Sequence, residues 1–129
     1  MLNVLVVDDD KISQKLIKYM LNEYEKQKSE GDIFSINFAE DGEKALAICG
    51  SKMPDIIFTD ILMPKMNGVQ LIKEVKNMDN SAYIVVITTL DDERKKESVE
   101  AGADDFLVKP LNASIFYKRL DKYLKSLNY

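Results

Sequence analysis

The sequence predicts an α/β fold in which five strands alternate with five helices, a (βα)5 doubly wound sheet with helices on both faces. Short runs rich in Ile, Val and Phe recur five times, without the polar alternation of a half-exposed strand. The longer segments between and after them place apolar residues three or four positions apart, as amphipathic helices do. Strict alternation of the two patterns indicates a parallel sheet with right-handed crossovers.

The predicted strands are short and apolar. They are residues 4–7 (VLVV), 33–39 (IFSINFA), 55–60 (DIIFTD), 83–88 (YIVVIT) and 105–109 (DFLVK). A strand that is apolar on both faces is typical of a parallel sheet covered on both sides. The polar stretch at 26–32 (KQKSEGD) is interpreted as a helix end followed by a loop.

All of the predicted helices except the fourth carry an apolar stripe. The stripes are Ile12, Leu16, Ile17, Met20, Leu21 and Tyr24; Ala45, Leu46, Ile48 and Cys49; Leu71, Ile72, Val75 and Met78; and Phe116, Leu120, Tyr123, Leu124 and Leu127. The fourth helix, within DDERKKESVEAGA, offers only Val99 and a few alanines. We therefore expect it to be the most weakly held helix, as a solvated face or as a movable, partner-binding element.

Length, net charge and cysteine content limit the kinds of protein that this sequence can encode. The 129 residues fit one domain with its own core, which we take to span residues 1–129. A net charge of −4 disfavours direct contact with nucleic acid, and the first apolar run is too short for a signal sequence or membrane span, so a cytoplasmic location is expected. The single cysteine, Cys49, suits a reducing compartment and is interpreted as a small core residue rather than a reactive thiol.

Charged and hydroxyl side chains stand where four of the strands end. Strand one is followed by Asp8, Asp9 and Asp10, strand three ends in Asp60, strand four in Thr88 and strand five in Lys109. Ligands of open α/β sheets bind at the carboxyl ends of strands, where the strand order reverses. In a sheet of order 2-1-3-4-5, strands one and three are neighbours, so Asp8, Asp9 and Asp60 would converge. Each residue alone has an ordinary explanation, Asp10 above all as a helix N-cap, but their joint placement indicates one site.

Converging carboxylates predict a bound cation. Two such charges about 5 Å apart repel by roughly 3 kcal/mol at an effective dielectric of 20. The donors are all hard oxygens and the sequence has no histidine, which favours Mg²⁺ over zinc or softer metals. Thr88 and Lys109, on the opposite side, offer a hydroxyl and an ammonium group to the oxygens of an arriving phosphoryl group.

From Leu2 to about Leu127 the sequence resembles the receiver domain of bacterial and archaeal response regulators, of the kind found in chemotaxis regulators. Four motifs carry the resemblance in order: VLVVDDD, DIIFTDILMPKMNG, VVITT and AGADDFLVKP. It implies a flavodoxin-like fold and a phosphoprotein of two-component signalling. Such a domain takes a phosphoryl group from a sensor histidine kinase or phosphotransfer protein and changes conformation to control a partner. It is not an enzyme beyond its own phosphorylation and dephosphorylation.

The resemblance also implies a role for each site residue. Asp60 would be the phosphoacceptor; Asp9, Asp60 and the Leu62 backbone carbonyl would bind Mg²⁺, with Asp8 helping through water; Lys109 would pair with the phosphoryl group; and Thr88 and Phe106 would form the switch. The Lys109–Pro110 bond is expected to be cis. The downstream partner is expected on the face of helix four, strand five and helix five, and phosphorylation-dependent homodimerisation is left open.

Three positions depart from the family pattern. Phe106 stands where the family frequently has Tyr, and without a hydroxyl its ring is predicted to favour an inward position. Leu62 and Leu90, two residues after Asp60 and Thr88, would flank the path of a water attacking the phosphoryl group. Because neither side chain can orient water, we predict a long-lived phosphoryl group.

Three alternatives to a stand-alone receiver remain open. The chain has the length of such a receiver, but the same sequence would result if it were cut from a longer regulator with a DNA-binding or enzymatic output. An Mg²⁺-dependent aspartyl phosphohydrolase shares the fold class, although no second acid follows Asp60 closely. A flavin-binding module would need a phosphate-cradling loop after strand one, where three aspartates stand instead.

Overall fold

The computed structural model describes residues 1–28, 31–63, 65–89 and 92–127 and confirms the doubly wound sheet. The elements are β1 (Leu2–Val7), α1 (Lys11–Lys28), β2 (Phe34–Ala39), α2 (Gly42–Ser51), β3 (Ile56–Thr59), α3 (Gly68–Met78), β4 (Tyr83–Thr88), α4 (Asp92–Ala101), β5 (Asp105–Val108) and α5 (Ala113–Ser126). All four strand pairings are parallel, in the order β2-β1-β3-β4-β5. Residues 29–30 of the predicted loop lie outside the described residues.

Two apolar layers cover the sheet, one on each face. Because successive side chains of a strand point to opposite faces, Val4 and Val6 pack with α1 and α5, while Leu5 and Val7 pack with α2 and α3. All four of these side chains are at most 1% exposed. The apolar strand runs are thus explained by burial on both faces, and the strand ends are fixed at one edge of the sheet.

The apolar stripe predicted for α1 is only partly buried. Ile17, Met20, Leu21 and Tyr24 lie in the core, but Ile12 and Leu16 are 77% and 41% exposed. At 100° per residue these two point roughly 100° to 140° away from Ile17, beyond the width that one sheet face covers. Tyr19, 62% exposed, lies on the same side. The prediction that Ile12 and Leu16 belong to the core is therefore wrong.

Two stripe residues near helix ends are also exposed. Met78 is the last residue of α3 and is 47% exposed, and Leu127 follows α5 and is 43% exposed. Both stand at the C-terminal end of their helix, where the helical period continues but much of the side chain is exposed. The remaining members of these two stripes are buried, as predicted.

Among the side chains that the structure describes in α4, few are apolar, as predicted. The side chain that the helix buries is not the expected Val99 but Ser98. Val99 is 57% exposed, whereas the side chain of Ser98 is fully buried. The Ser98 hydroxyl donates a hydrogen bond to the Arg94 carbonyl at 2.8 Å, and the Ser98 carbonyl accepts one from the Ala103 N–H at 3.0 Å. Among the α4 side chains that the structure describes, Ser98 is the only buried one.

Two further predictions from composition can be compared with the structure. Cys49 is 4% exposed and packs in the core between α2 and the sheet, as predicted. Burial raises the pKa of its thiol to about 11. Over the described residues, no helix has the length and hydrophobicity needed to cross a membrane.

Candidate functional site

The structure brings Asp8, Asp60 and Lys109 together at the edge where the strands have their carboxyl ends. Each follows directly after its strand, β1, β3 and β5 respectively. The Lys109 Nζ lies 2.7 Å from Asp60 Oδ2 and 3.5 Å from Asp8 Oδ2. One ammonium group therefore bridges two carboxylates, which confirms the predicted convergence for Asp8 and Asp60.

The two oxygens of the Asp60 carboxylate have different partners. Oδ1 accepts hydrogen bonds from the backbone N–H groups of Ile61 at 2.6 Å and Leu62 at 3.4 Å. Oδ2 pairs with Lys109. The Asp60 N–H donates to the Val7 carbonyl at 3.1 Å, which ties the start of the loop to β1. With its side chain 12% exposed, Asp60 is held firmly but remains accessible from solvent.

Asp8 is the buried member of the acidic pair. It is 2% exposed, and its Oδ1 accepts the Asp10 N–H at 2.9 Å. Burial raises the pKa of Asp8, and the like charge of Asp60 adds to the increase; the Asp10 hydrogen bond and the Lys109 charge oppose it without cancelling it. The negative charge at this position is therefore only partly compensated by the protein.

Lys109 is held at the site from both its backbone and its side chain. Its N–H donates to the Thr88 carbonyl at 2.8 Å, and the Lys109–Pro110 bond is cis, as the resemblance implied. Burial disfavours the ammonium charge, but the hydrogen bond to Asp60 and the charges of Asp60 and Asp8 outweigh it, so the pKa of Lys109 is raised. The lysine is therefore a permanent cation at this edge.

Asp9 and Asp10, which follow Asp8, have separate surroundings. Asp10 caps α1: its Oδ1 accepts the Ile12 N–H at 3.0 Å and its Oδ2 accepts the Ser13 hydroxyl at 3.1 Å, which confirms the N-cap interpretation. Asp9 is exposed. The described residues include no group of three His, Cys, Asp or Glu side chains arranged to hold a metal ion, so a metal here would also need backbone or water ligands.

Thr88 and Phe106 lie on the same face of the sheet. In the β4–β5 register Val86 pairs with Phe106 and Thr88 with Val108, so Thr88 and Phe106 are diagonal neighbours. Thr88 is 1% exposed at the end of β4, and Phe106 packs against the core layer that faces α2 and α3. The Lys95 ammonium, from α4, lies 5.5 Å from the centroid of the Phe106 ring.

Gly68 allows the loop after β3 to fold back on the strand end. A Cβ atom at this position would lie 2.2 Å from the Asp60 carbonyl oxygen and 2.8 Å from the Ile61 Cα. The Gly68 N–H donates to the Ile61 carbonyl at 2.8 Å, and Asn67 caps α3 by accepting the Gln70 N–H at 2.9 Å. Lys65, in the same loop, has a positive backbone angle φ of 67°. Its side-chain Nζ lies 3.7 Å from Asp41 Oδ2.

Sequence reasoning missed two contributors to this region. Gln14 is buried in α1 and bonds to the Asp8 carbonyl, although it occupies a position where the helical period predicts an apolar residue. Lys95 covers Phe106, and nothing in its sequence context distinguishes it from the other charges of α4. A polar residue in phase with an apolar stripe was the available signal for Gln14. Leu90 and Pro64, both part of the sequence interpretation, lie outside the described residues.

Comparison with known proteins identifies the family. Residues 4–121 match the model of the response regulator receiver domain. The chain belongs to the response regulator receiver family. The receiver aligns over its full length with a two-component response regulator from Clostridium difficile, at 29% identity and a TM-score of 0.86, covering 100% of both chains. The chemotaxis protein CheY4 of Vibrio cholerae gives a TM-score of 0.81 at 30% identity, covering 95% of this chain and 98% of that one.

Curated relatives of the receiver are longer proteins. It is 34% identical to a cyclic di-GMP phosphodiesterase of Thermotoga maritima, covering 98% of this chain and 35% of that protein. It is 33% identical to the alkaline phosphatase synthesis transcriptional regulatory protein PhoP of Bacillus subtilis, covering 84% of this chain and 42% of that protein. The chain thus spans between a quarter and a half of the length of the curated relatives that it matches. It is the receiver domain of a two-component response regulator.

Proposed function

We propose that this receiver accepts a phosphoryl group on Asp60 from a phosphohistidine of a sensor kinase or phosphotransfer protein. The main support is the geometry around Asp60. Backbone N–H groups fix one carboxylate oxygen, and the other lies 2.7 Å from Lys109 at an accessible edge of the sheet. A carboxylate is a weak nucleophile toward phosphorus, so such a site must work by positioning and by neutralising charge.

In the proposed transfer, a carboxylate oxygen of Asp60 forms a P–O bond while the P–N bond of the donor breaks and its electron pair returns to the histidine nitrogen. The charge at residue 60 changes from −1 to roughly −1.5 to −2. Lys109 is placed to pair with the added phosphoryl oxygens while keeping its bond to the carboxylate. No substrate other than the donor is required, so we propose a signalling module rather than an enzyme that turns over other molecules.

The residues present fit Mg²⁺ as the cofactor. Asp8 and Asp60 converge, and the acidic side chains there offer only oxygen atoms as ligands. Burial raises the pKa of Asp8, which supports a carboxylate charge that the protein alone compensates incompletely. Mg²⁺ binds through one or two carboxylates and keeps several waters, which suits a site whose described residues include no three converging acids. We propose Asp9, Asp60 and the Leu62 carbonyl as direct ligands and Asp8 as a ligand through water. The bound ion supplies charge neutralisation during the transfer.

The switch is proposed to run through Thr88 and Phe106. Thr88 gains a hydrogen bond by turning toward the phosphoryl oxygens, and its movement leaves space on the face that it shares with Phe106. Lys95 covers the Phe106 ring, and Ser98 is the only buried described side chain of its helix, so a shift of Phe106 can be passed to α4. The proposed output surface is therefore the face formed by α4, β5 and α5, for a downstream protein or a second copy of this domain.

The exposed side of α1 is proposed to receive the phosphodonor protein. Ile12, Leu16 and Tyr19 are 77%, 41% and 62% exposed at a helical spacing of four and three residues. This face begins next to Asp9, at the open edge of the site. An Ile12→Asp, Leu16→Asp double variant should slow transfer from a protein donor but leave phosphorylation by a small acyl phosphate unchanged. This surface would be contradicted if the double variant slowed phosphorylation equally with both donors, or if it slowed phosphorylation with neither.

The central experiment is intact-mass spectrometry after mixing the protein with a small acyl-phosphate donor, with and without Mg²⁺. A single adduct that requires both Mg²⁺ and Asp60, and is absent in Asp60→Asn, is the expected result. No adduct under any condition would refute the proposal. Continuous hydrolysis of the donor over many turnovers would instead favour the aspartyl phosphohydrolase. We propose one receiver domain over residues 1–129, either alone or as part of a longer regulator.

A further inference from the structure

Gln14 is a polar side chain on the buried face of α1. It precedes Ile17, Leu21 and Tyr24 at helical spacing and is 8% exposed, the only buried polar residue of this helix, all of which is described. A buried amide is unfavourable unless it is hydrogen bonded. The Gln14 Nε2 donates to the Asp8 carbonyl oxygen at 2.6 Å, and this bond is itself buried.

The bond acts on the peptide unit that joins Asp8 to Asp9. A peptide unit is planar, so a donor that fixes its carbonyl also fixes the direction of its N–H and limits rotation on either side of it. Those rotations set the directions in which the Asp8 and Asp9 side chains leave the backbone. The Asp8 N–H is already tied to the Ala39 carbonyl at 3.0 Å, and Asp8 Oδ1 to the Asp10 N–H at 2.9 Å. The Gln14 bond adds a third restraint on the same residue, from a helix packed against it.

We propose that Gln14 is a positioning residue for Asp8 and Asp9, holding the peptide between them so that both carboxylates are directed toward the phosphoacceptor site. This inference rests on the proposed function, because it concerns the residues proposed to hold Mg²⁺. Residues that orient metal ligands from behind, without touching the metal, commonly affect affinity strongly. The Gln14 amide bonds to the Asp8 backbone and not to its carboxylate, so its effect on the site is indirect.

The test compares Gln14→Met with the parent. Methionine is unbranched and of similar length but offers no N–H donor, so packing is kept and the hydrogen bond to Asp8 is removed. The position also borders a cavity of about 220 Å³ lined by Phe38, Ala39 and Lys44, which leaves room for the new side chain. Ile17→Val, one turn further along the same buried face, is the matched control for a general loosening of α1.

Two measurements separate positioning from stability. Isothermal titration of Mg²⁺ should give a Kd roughly tenfold weaker for Gln14→Met and unchanged for Ile17→Val. In the metal-free proteins, ¹H–¹⁵N spectra should show the amides of Asp9 and Asp10 displaced, with faster hydrogen exchange, in Gln14→Met but not in Ile17→Val. Gln14→Asn keeps the amide but is one methylene too short to reach the carbonyl. It should show the same changes, and it replaces Gln14→Met if that variant is poorly folded at the working temperature.

The outcomes distinguish this inference from the proposed function. An Mg²⁺ affinity and Asp9 amide signal that remain at parent values in both Gln14 variants would overturn the positioning role, even if Asp60 is phosphorylated normally. A Kd that weakens equally in Ile17→Val would also overturn it, since α1 stability would then explain the effect. If the parent protein neither binds Mg²⁺ nor takes a phosphoryl group on Asp60, the proposed function fails, and the positioning inference fails with it.

Discussion

Replacing Asp8 with asparagine should stabilise the metal-free protein. The carboxylate is 2% exposed, and its pKa is raised by burial and by Asp60 despite the nearby Lys109. An asparagine Oδ1 can still accept the Asp10 N–H, which lies 2.9 Å from the carboxylate in the parent. The substitution weakens the 3.5 Å interaction with Lys109, which is at the limit of hydrogen-bonding distance, while Lys109 keeps its 2.7 Å bond to Asp60.

The expected gain is the difference between these two effects. A 3.5 Å pairing with a partly exposed ammonium is worth under about 1 kcal/mol, whereas an incompletely compensated polar group that is buried costs about 1 to 3 kcal/mol, and more when it is charged. We expect a net gain in the free energy of unfolding of about 1 to 2 kcal/mol at pH 7. For a domain of this length that raises the Tm by about 4 to 8 °C.

The pH dependence supplies an internal check. A carboxyl group whose pKa is raised on folding binds its proton more tightly in the native state, so it destabilises the protein as pH rises above the unfolded value of 3.8. The advantage of Asp8→Asn should therefore be full at neutral pH and shrink as the pH falls through the native pKa toward 3.8. Urea unfolding of both proteins in EDTA between about pH 4 and pH 7 measures it.

Added Mg²⁺ should reverse the order. At about one hundred times its Kd for the parent, a ligand that binds only the native state stabilises by about 2.7 kcal/mol, and the parent should gain this while Asp8→Asn gains much less. An Asp8→Asn protein that is less stable than the parent in EDTA at pH 7 would refute the reasoning, because it would mean that the 3.5 Å pairing with Lys109 outweighs the burial of the charge.

Four other outcomes are expected. Leu62→Asn should shorten the lifetime of the phosphoryl adduct severalfold, followed by intact mass over time, because the exposed leucine cannot orient water. Cys49, whose pKa is about 11, should react with a disulfide reagent at pH 8 only after unfolding in urea. Gly68→Ala should lower the free energy of unfolding by about 2 kcal/mol in urea titrations, since its Cβ would lie 2.2 Å from the Asp60 carbonyl oxygen. Gly50→Ala should not destabilise, because the nearest atom beyond its own helix would be Met78 Cε at 3.8 Å. Lys95→Ala should speed hydrogen exchange in α4 by removing an interaction worth about 0.5 to 1 kcal/mol, and unchanged exchange there would count against a link to the switch.

The carboxyl edge of the sheet was predictable because strand patterns are local and their ends are sharp. Apolar runs stop at Asp8, Asp60 and Lys109, and parallel strands bring such ends to one edge. That β1 and β3 are neighbours followed from the expected strand order. Which oxygen meets which nitrogen was not predictable, since the bridging of two carboxylates by Lys109 depends on side-chain reach across three strands.

Helical periodicity was less informative than strand pattern. Ile12 and Leu16 have the four-residue spacing of an apolar face, but only the tertiary packing decides which side of α1 the sheet covers and how wide that side is. The same limit explains Val99 and Ser98, where the smaller polar residue is the one buried. Gln14 shows the reverse case, because its burial is stabilised by a backbone carbonyl that no periodicity reveals.

The unequal bonds of Lys109 bear on how the site could change state. In this structure one ammonium serves two carboxylates, at 2.7 Å and 3.5 Å, and the longer distance is to the more deeply buried acid. Under the proposed function a phosphoryl group on Asp60 brings further oxygens to the same ammonium. The weaker pairing with Asp8 is then the one that can be given up at least cost, and Asp8 must find compensation from a metal ion or its waters. Phosphorylation and metal binding at this edge would therefore be coupled through Lys109, which explains why the site carries one more carboxylate than the lysine can neutralise.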